Sequence, residues 1–156
     1  MFLKHLGVLT VATLSALAAG GGVLQIAANA RQPVLEQGRI AKAADGHYWA
    51  TAEVDGASVR FLVDTGSSAV TLTGADARRL GVDLAHLRYD QPVFTAAGDQ
   101  RAAVVTLDHI EVAGVRVEQV RAMVMRSGLP SSLLGMSYLG RLSHMDATPE
   151  ALVLSR

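Results

Sequence analysis

A short run of polar side chains at the end of an apolar segment has the residue types needed for acid–base chemistry. The run is Asp64-Thr65-Gly66-Ser67-Ser68, and it follows residues 59–63, Val-Arg-Phe-Leu-Val. A carboxylate in this position is costly to keep ionised unless neighbouring groups donate hydrogen bonds to it. Gly66 allows the backbone to turn tightly, and the hydroxyls bring donors close to Asp64. Asp64 is therefore the first candidate for a catalytic group, beside the simpler interpretation of an aspartate that starts a turn.

Other kinds of active site find little support in the sequence. The chain has no cysteine, which excludes disulfides, thiolate catalysis and cysteine-ligated metals. The five histidines show neither a helical two-histidine spacing nor a His-Glu-x-x-His motif, so we expect no metal site and no cofactor. Residues 66–68 do not form the motif of a serine nucleophile. With 14 basic and 14 acidic residues and no basic run, the chain is not expected to bind nucleic acid.

The first 30 residues form a hydrophobic segment that predicts export. Residues 6–28 are uncharged, follow Lys4, and as a helix could cross about 30 Å of hydrocarbon. Ala28-Asn29-Ala30 equally fits a signal-peptidase site, so a signal anchor, which we favour, and a cleaved signal peptide both stay open. In either case the positive-inside rule places everything after Arg31 outside the cytoplasm. A buried helix of a cytosolic protein is the weaker alternative.

After this segment, the sequence predicts a linker and one mostly β domain. Residues 31–46 show little periodicity and contain proline and glycine, which is typical of a linker. Residues 47–156 carry short apolar runs between turn signals, without alternation of strands and long helices. This pattern indicates a closed or nearly closed β-barrel. The predicted strands are residues 47–54, 57–63, 93–96, 101–112, 115–124, 133–134 and 151–154, and the helical segments are residues 73–81 and 136–142.

Turn signals place the candidate acid within this arrangement. Asp55-Gly56 is a strong hairpin signal, which joins the first two strands and leaves Asp64 on the loop after the second. Ala113-Gly114 joins a later strand pair. Thr73 is a suitable N-cap for the first helix, and Gly81 is placed to end it.

Two motifs resemble those of retropepsin-like aspartic proteases, the group that includes retroviral proteases. The run Phe61-Leu62-Val63-Asp64-Thr65-Gly66-Ser67-Ser68 resembles their active-site strand and loop. Residues 131–139, Ser-Ser-Leu-Leu-Gly-Met-Ser-Tyr-Leu, lie about 70 residues later and are similar to the hydrophobic-hydrophobic-glycine segment beneath that loop. Between them, residues 93–100 stand where such proteases carry a flap hairpin. The resemblance covers roughly residues 48–156 and is strongest to bacterial single-domain members with an N-terminal hydrophobic segment.

The resemblance implies a retropepsin-like closed β-barrel lobe with one or two short helices, and a role for each residue of the loop. Asp64 would be the catalytic carboxylate. Thr65 would hydrogen-bond to the loop of a partner chain, and Gly66 would approach the backbone of the substrate or partner. Ser67 would support the carboxylate of Asp64.

The same resemblance assigns roles outside the loop. Thr95 and Gly98 would belong to the flap, and Gly98 would allow the flap to close over substrate and exclude water. Leu134 and Gly135 would lie beneath the active loop, where the glycine leaves room for the chain. Residues 136–138 differ from the segment usual in viral members, so the salt links found there are not expected.

Peptide hydrolysis by this route needs two carboxylates around one water. The ionised carboxylate takes a proton from the attacking water, and the neutral one hydrogen-bonds the developing oxyanion. Two acids about 3 Å apart share a proton because they cannot both be charged. No aspartate other than Asp64 is followed by Thr-Gly, so a second chain must supply the partner acid. We expect a homodimer whose interface includes the Asp64 loop and the terminal strand, residues 151–154.

Two functions from different classes follow as hypotheses. The first is a homodimeric aspartic endopeptidase that hydrolyses polypeptides in the periplasm, anchored in the inner membrane by residues 1–30 or released by their cleavage. The alternative is a non-catalytic β-domain that binds extended peptides by adding strands to its sheet. The retained Asp64-Thr65-Gly66-Ser67 run favours the first, since a binding domain has no need of that carboxylate.

Overall fold

The structure, a computed structural model, describes residues 37–95 and 98–156. The expected membrane or signal segment, residues 1–30, lies outside the described residues, as do Ala96 and Ala97. The described part contains the following strands and helices: β1 (Arg39–Ala41), β2 (Trp49–Val54), β3 (Ala57–Val63), β4 (Val70–Thr73), α1 (Gly74–Arg79), β5 (Gln91–Thr95), β6 (Gly98–Val112), β7 (Val115–Met125), β8 (Ser132–Leu134), α2 (Met136–Leu139), β9 (His144–Ala147) and β10 (Ala151–Ser155).

Six of these strands close a barrel, which confirms the predicted mostly β fold. Their order is β2-β3-β8-β4-β7-β6, and antiparallel pairing of β2 with β6, for example Ala52 with Val112, completes the ring. Strand β8 is parallel to β3, and β4 is parallel to β7. Strand β5 lies outside the ring and, among the described residues, pairs with β6 alone, so the β5–β6 hairpin is an extension of the barrel sheet.

The predicted hairpins form because their turns have suitable backbone conformations. Asp55 and Gly56 have φ angles of 48° and 86°, and Ala113 and Gly114 have φ angles of 48° and 81°. Positive φ at both central residues is the type I′ conformation, whose twist matches the flanking strands. The turn of the first hairpin sets a register that pairs Ala52 with Val59, so alternate residues of both strands face the core.

The core fills the barrel with aliphatic side chains and a few aromatic ones. The largest fully buried side chains include Phe61, Leu72, Ile110 and Leu134. Tyr138 is also fully buried, and its hydroxyl donates to the carbonyl of Val115 at 2.7 Å. Burial raises the pKa of Tyr138 well above its usual range, because ionisation would place a charge in an apolar interior. Tyr138 is therefore a structural residue of the core.

Three strands form a second sheet in the order β1-β10-β9. The sequence analysis assigned residues 31–46 to a linker, but β1 lies within that range and pairs Ile40 with Leu152 of β10. Ile40 is buried against the core, yet a single apolar residue between exposed neighbours is too short a pattern to indicate a strand. Strand β9 was not predicted either, because all four of its residues are exposed and show no alternation.

The helices are short, as the sequence indicated. The side chain of Thr73 accepts a hydrogen bond from the backbone N–H of Asp76 and so caps α1, and Gly81 follows the helix with a φ of 79°. Helix α2 covers the first four of the seven residues predicted to be helical. Across residues 37–95 and 98–156, no helix has the length and apolar character required to span a membrane.

Candidate active site

Asp64 lies immediately after β3, on a loop that connects the barrel strand to β4. Its backbone N–H donates to the carbonyl of Leu134 at 3.1 Å, and its own carbonyl accepts from the N–H of Ser67 at 3.3 Å. The carboxylate oxygen Oδ1 accepts from the N–H of Gly66 at 2.9 Å. The residue is half-buried, and the loop holds one of its carboxylate oxygens.

The loop rests on the segment that follows β8. The N–H of Met136 donates to the carbonyl of Ser67 at 2.8 Å, and Gly135 packs directly under the backbone of the loop. A Cβ atom on Gly135 would overlap the carbonyl oxygen of Ala69 and lie 2.6 Å from its carbonyl carbon and 2.7 Å from the carbonyl oxygen of Ser67. Only glycine permits this close approach. Leu134, predicted to lie beneath the loop with Gly135, accepts the Asp64 N–H through its carbonyl.

Ser137 is a further support of the loop that the sequence analysis did not identify. Its hydroxyl accepts from the N–H of Val70 at 2.8 Å and donates to the carbonyl of Arg121 at 2.7 Å. One side chain thus connects the end of the Asp64 loop, helix α2 and strand β7. The only sequence signal was its position two residues after Gly135.

A partly buried polar network fixes the far end of β4. Ser132 donates through its hydroxyl to Asp76 at 2.5 Å and accepts from the N–H of Thr73 at 3.0 Å. Asp76 also receives a hydrogen bond from the Thr73 hydroxyl at 2.9 Å and pairs with Arg79 at 3.1 Å. Because Ser132 begins β8 and Thr73 ends β4, the network ties β8, which leads to Gly135, to β4, which follows the Asp64 loop.

The predicted flap, residues 93–100, falls in the β5–β6 hairpin. Thr95 pairs with Gly98, and the Thr95 hydroxyl donates to the carbonyl of Gly98 at 2.8 Å. The hairpin extends beyond the end of β7, whose last residue, Met125, pairs with Ala102. Gly98 has a φ of 105°, a conformation that favours glycine.

The two faces of the flap differ in character. Directly opposed residues share a face, so Val93 and Gln100 lie on one face and Phe94 and Asp99 on the other. Val93 packs in a small hydrophobic cluster with residues next to the Asp64 loop and at the end of β7, namely Ala69, Ala102, Met123, Met125 and Leu129. The Val93 face therefore faces the loop, whereas Phe94 is 83% exposed on the other face.

A cleft of about 490 Å³ borders the flap. Both flap strands line it, together with Tyr89 and Arg126. The guanidinium of Arg126 stacks over the ring of Tyr89 with its central carbon 4.2 Å from the ring centroid. This open space lies between the flap and the segment after β7, and the Asp64 loop is not part of its lining.

The hydroxyls of Ser67 and Thr65 differ in their hydrogen bonds. The Ser67 hydroxyl donates to the carbonyl of Ala69 at 2.7 Å, so it holds the loop backbone. Among the described residues it forms no hydrogen bond with the Asp64 carboxylate, which was its predicted partner. Thr65 is exposed, and its hydroxyl has no hydrogen-bond partner in the described part of this single chain. An exposed hydroxyl beside the candidate acid is consistent with a contact to another chain.

The site has the composition of an acid–base centre. Within residues 37–95 and 98–156, no group of three or more His, Cys, Asp or Glu side chains is placed to hold a metal ion. Asp64 lies beside the exposed Thr65. A closed barrel, an Asp-Thr-Gly loop at a strand end, a glycine segment beneath it and a hairpin flap define the class of retropepsin-like aspartic proteases.

Comparison with known proteins agrees with this class. The model of the gag-polyprotein putative aspartyl protease family matches residues 50–141. The solved structure of a retropepsin-like aspartic protease from Rickettsia conorii is 37% identical, with a TM-score of 0.69, over 74% of this chain and 87% of that chain. EIAV protease in complex with the inhibitor HBY-793 is 18% identical, with a TM-score of 0.52, over 62% of this chain and 88% of that chain, and supports the fold alone.

Two uncharacterized relatives complete the comparison. A protein of Rickettsia prowazekii (strain Madrid E) is 37% identical, and a protein of Sinorhizobium sp, encoded in a cobV 5′ region, is 39% identical, each over 116 residues and 74% of this chain. The chain spans about half the length of these curated relatives, 50% in each case. The chain belongs to the gag-polyprotein putative aspartyl protease family and has the retropepsin-like fold.

Proposed function

We propose that this protein is an aspartic endopeptidase that cleaves polypeptides as a homodimer, with one Asp64 from each chain. The observation that carries the proposal is the geometry of Asp64: a half-buried carboxylate with one oxygen held by the Gly66 N–H, on a loop that Gly135 supports from below. The family and the fold favour peptide hydrolysis over the alternative of peptide binding by strand addition.

The chemistry requires the two Asp64 carboxylates to share one proton and one water. The ionised member removes a proton from the water, and the protonated member stabilises the oxyanion formed on the scissile carbonyl. The Val93 face of the flap would cover the substrate and exclude water. A shared-proton pair predicts a bell-shaped pH–rate profile with its maximum on the acid side of neutrality.

The dimer is part of the proposal because one chain supplies one acid. The exposed hydroxyl of Thr65 would reach the partner's loop across a twofold axis beside Asp64. We also propose that the domain works in the periplasm, since residues 6–28 are long and apolar enough for a signal anchor or signal peptide. Retention in a membrane would raise the effective concentration of the monomers and promote dimer formation.

The test is cleavage of a peptide library by the full-length chain and by Asp64→Asn. The substitution keeps the size of the side chain but removes the ionisable group, so cleavage should fall by about three orders of magnitude or more while the fold persists. The matched control is Asp83→Asn, because Asp83 is an exposed aspartate that accepts a backbone N–H within its own turn, as Asp64 does. Asp83→Asn should cleave like the wild type.

Three further outcomes separate the alternatives. An excess of Asp64→Asn mixed with wild-type chain should suppress activity through mixed dimers. Unchanged cleavage by Asp64→Asn would reject the aspartic mechanism. Peptide binding that is equal in wild type and variant, without cleavage by either, would favour the strand-addition alternative.

A further inference from the structure

Strand β10 is not available for pairing with a second chain, although the sequence analysis placed residues 151–154 in the dimer interface. Ala151 pairs with Ala41 of β1 on one side, and Leu152 pairs with Ala147 of β9 on the other. Both edges of β10 are therefore occupied by strands of the same chain. A sheet between two chains has to use another edge.

The outer edge of β1 is also engaged, since it is tied to the barrel at both ends. Gly38 donates to the carbonyl of Ala113 at 2.7 Å, and Lys42 forms a bridge with Tyr48. The outer edge of β9 is different. Strand β9 is the last strand of its sheet, it pairs with β10 alone among the described residues, and all four of its residues are exposed. Such an edge is a template for another strand.

The side chains of β9 alternate between the two faces of the sheet. Met145 lies opposite Leu154, whose side chain is buried in the core, so Met145 is on the core face. His144 and Asp146 lie on the outer face. Met145 is a large hydrophobic side chain that is 39% exposed at the rim of the core, where a neighbouring strand would cover it.

From these positions, we infer that β9 pairs antiparallel with β9 of a second copy, centred on Met145, to form one six-stranded sheet across the dimer. This inference rests on the proposed homodimer and specifies its interface. A twofold axis perpendicular to the sheet keeps both core faces on the same side. Directly opposed residues then belong to the same face of the sheet.

Charge selects the register among those that such an axis allows. Centring on Met145 places His144 opposite the partner's Asp146 twice and Met145 opposite the partner's Met145. Centring on His144 would oppose two histidines, and centring on Asp146 would oppose two aspartates. Opposite charges stabilise a cross-strand pair and like charges destabilise it, so of these three registers the first is favoured when the imidazole is protonated. The sequence His-Met-Asp is thus self-complementary.

Few charged residues neighbour His144 and Asp146 within the sheet. The neighbours of Asp146 and His144 on β10 are Val153 and Ser155, which carry no charge. The next residue in the row of Asp146 is Arg39 of β1, which pairs with Val153 and has the opposite charge. No neighbouring acid in these two rows would compete with Asp146 for the partner's His144.

The first test uses the absence of cysteine from the chain. In full-length Met145→Cys, the two introduced thiols should lie opposite each other with Cα atoms about 4.5–5.5 Å apart, within the range for a disulfide. Mild oxidation should therefore link most of the protein into dimers. Val104→Cys is the control, because Val104 is 41% exposed, close to the 39% of Met145, and lies on barrel strand β6. It should remain mostly monomeric on a denaturing gel.

The second test exchanges the charges. His144→Glu or Asp146→Lys alone should weaken dimerisation about tenfold, because each variant opposes two pairs of like charges when imidazole is protonated. The double variant restores two Glu–Lys pairs and should regain the wild-type dissociation constant. Sedimentation in mildly acidic buffer measures all four proteins. A structural role of either residue within one chain would not produce this rescue.

The outcomes separate this interface from the proposed function. Peptide cleavage by a protein that neither links through residue 145 nor responds to the charge exchange would overturn the β9 interface and leave the protease standing. Linked dimers that show charge rescue but no cleavage would support the interface and count against the protease. Efficient linkage of Val104→Cys without linkage of Met145→Cys would place the interface elsewhere and overturn the inference.

Discussion

Gly135 determines how closely the polypeptide can pass beneath Asp64. Its α-carbon lies so close to the loop that a Cβ atom would be 2.7 Å from the carbonyl oxygen of Ser67, and would overlap that of Ala69. These neighbours are backbone atoms, which cannot move aside as a flexible side chain can. The glycine therefore acts on Asp64 through the loop, and contributes to its position without contacting substrate.

Substitution of this glycine tests the close packing. Gly135→Ala should destabilise the protein by about 3 kcal/mol, the upper part of the range for overpacking, and should reduce cleavage by displacing the Asp64 loop. Urea unfolding measures the first effect and peptide hydrolysis the second. The control is Gly74→Ala, because a Cβ there meets its nearest neighbours at 3.5 Å, an ordinary contact, at the start of α1. Equal stability of Gly135→Ala and Gly74→Ala would show that the loop does not need this close approach.

At the scale of the element, the two strands of the β5–β6 hairpin differ in packing along their length. Val93 belongs to a hydrophobic cluster near the Asp64 loop, whereas no described residue beyond its chain neighbours lies within 4 Å of a Cβ placed on Gly98. The role of Gly98 is therefore conformational. Its φ of 105° is rarely adopted by residues with a side chain, so the glycine shapes the strand next to the flap turn.

A pair of glycine substitutions separates this conformational effect from a general loss of stability. Gly98→Ala should cost about 1–2 kcal/mol of backbone strain and should lower kcat/KM through altered flap closure. Gly46→Ala is the matched control, since Gly46 has a φ of 83°, also has no neighbour within 4 Å, and lies outside the flap. It should lose similar stability, measured by urea unfolding, but retain its kcat/KM. Equal kcat/KM losses in both variants would assign the effect to stability alone.

At the scale of the whole molecule, exposed carboxylates make the fold sensitive to acid. A hydrogen bond from the His109 side chain, together with one from the Gly56 N–H, lowers the pKa of Glu53 below its ordinary 4.5. Hydrogen bonds from His86 and Arg116 likewise lower the pKa of Asp83 and Glu118. A lowered pKa means that the folded state favours the ionised carboxylate, so this stabilisation is complete above the ordinary pKa and is lost as the pH falls through the folded-state pKa.

The expected result is a urea midpoint that is stable near neutrality and declines below about pH 4.5. Glu53→Gln should show a shallower decline than the wild type, because it removes one of the carboxylates that acid protonates. Glu150→Gln is the control, since the Glu150 carboxylate makes no hydrogen bond within the described residues and is exposed. A Glu53→Gln profile parallel to that of the wild type would show that the contact with His109 adds no pH-dependent stability.

This sensitivity bears on the proposed activity. A shared-proton pair of carboxylates favours acid conditions for catalysis, whereas the surface carboxylates favour folding at higher pH. The working range of the enzyme would then end on the acid side where the fold weakens. A comparison of the pH–rate profile with the urea midpoints would show whether loss of activity at low pH follows the dyad or the fold.

Local sequence determined much of this protein. The Asp55-Gly56 and Ala113-Gly114 turns, the Thr73 cap of α1 and the alternation in β2 and β3 are short-range features, and each predicted the element that the structure contains. The Asp64 loop could also be predicted from the sequence, because a carboxylate followed by Thr-Gly at the end of an apolar strand is a short, contiguous motif. Gly135 was found by resemblance, and its physical reason, backbone overlap, appears only in three dimensions.

Only the tertiary structure revealed the strands and hydrogen bonds that depend on pairing between distant segments. Strand β1 carries one buried side chain and β9 carries none, so neither has a periodic pattern, and each exists because β10 provides hydrogen-bond partners. Likewise, the hydroxyls of Ser67, Ser132 and Ser137 are chemically alike in the sequence. Their partners, at 2.5–3.0 Å, are set by how the strands meet, because a hydroxyl both donates and accepts and takes the partner that the fold brings to it.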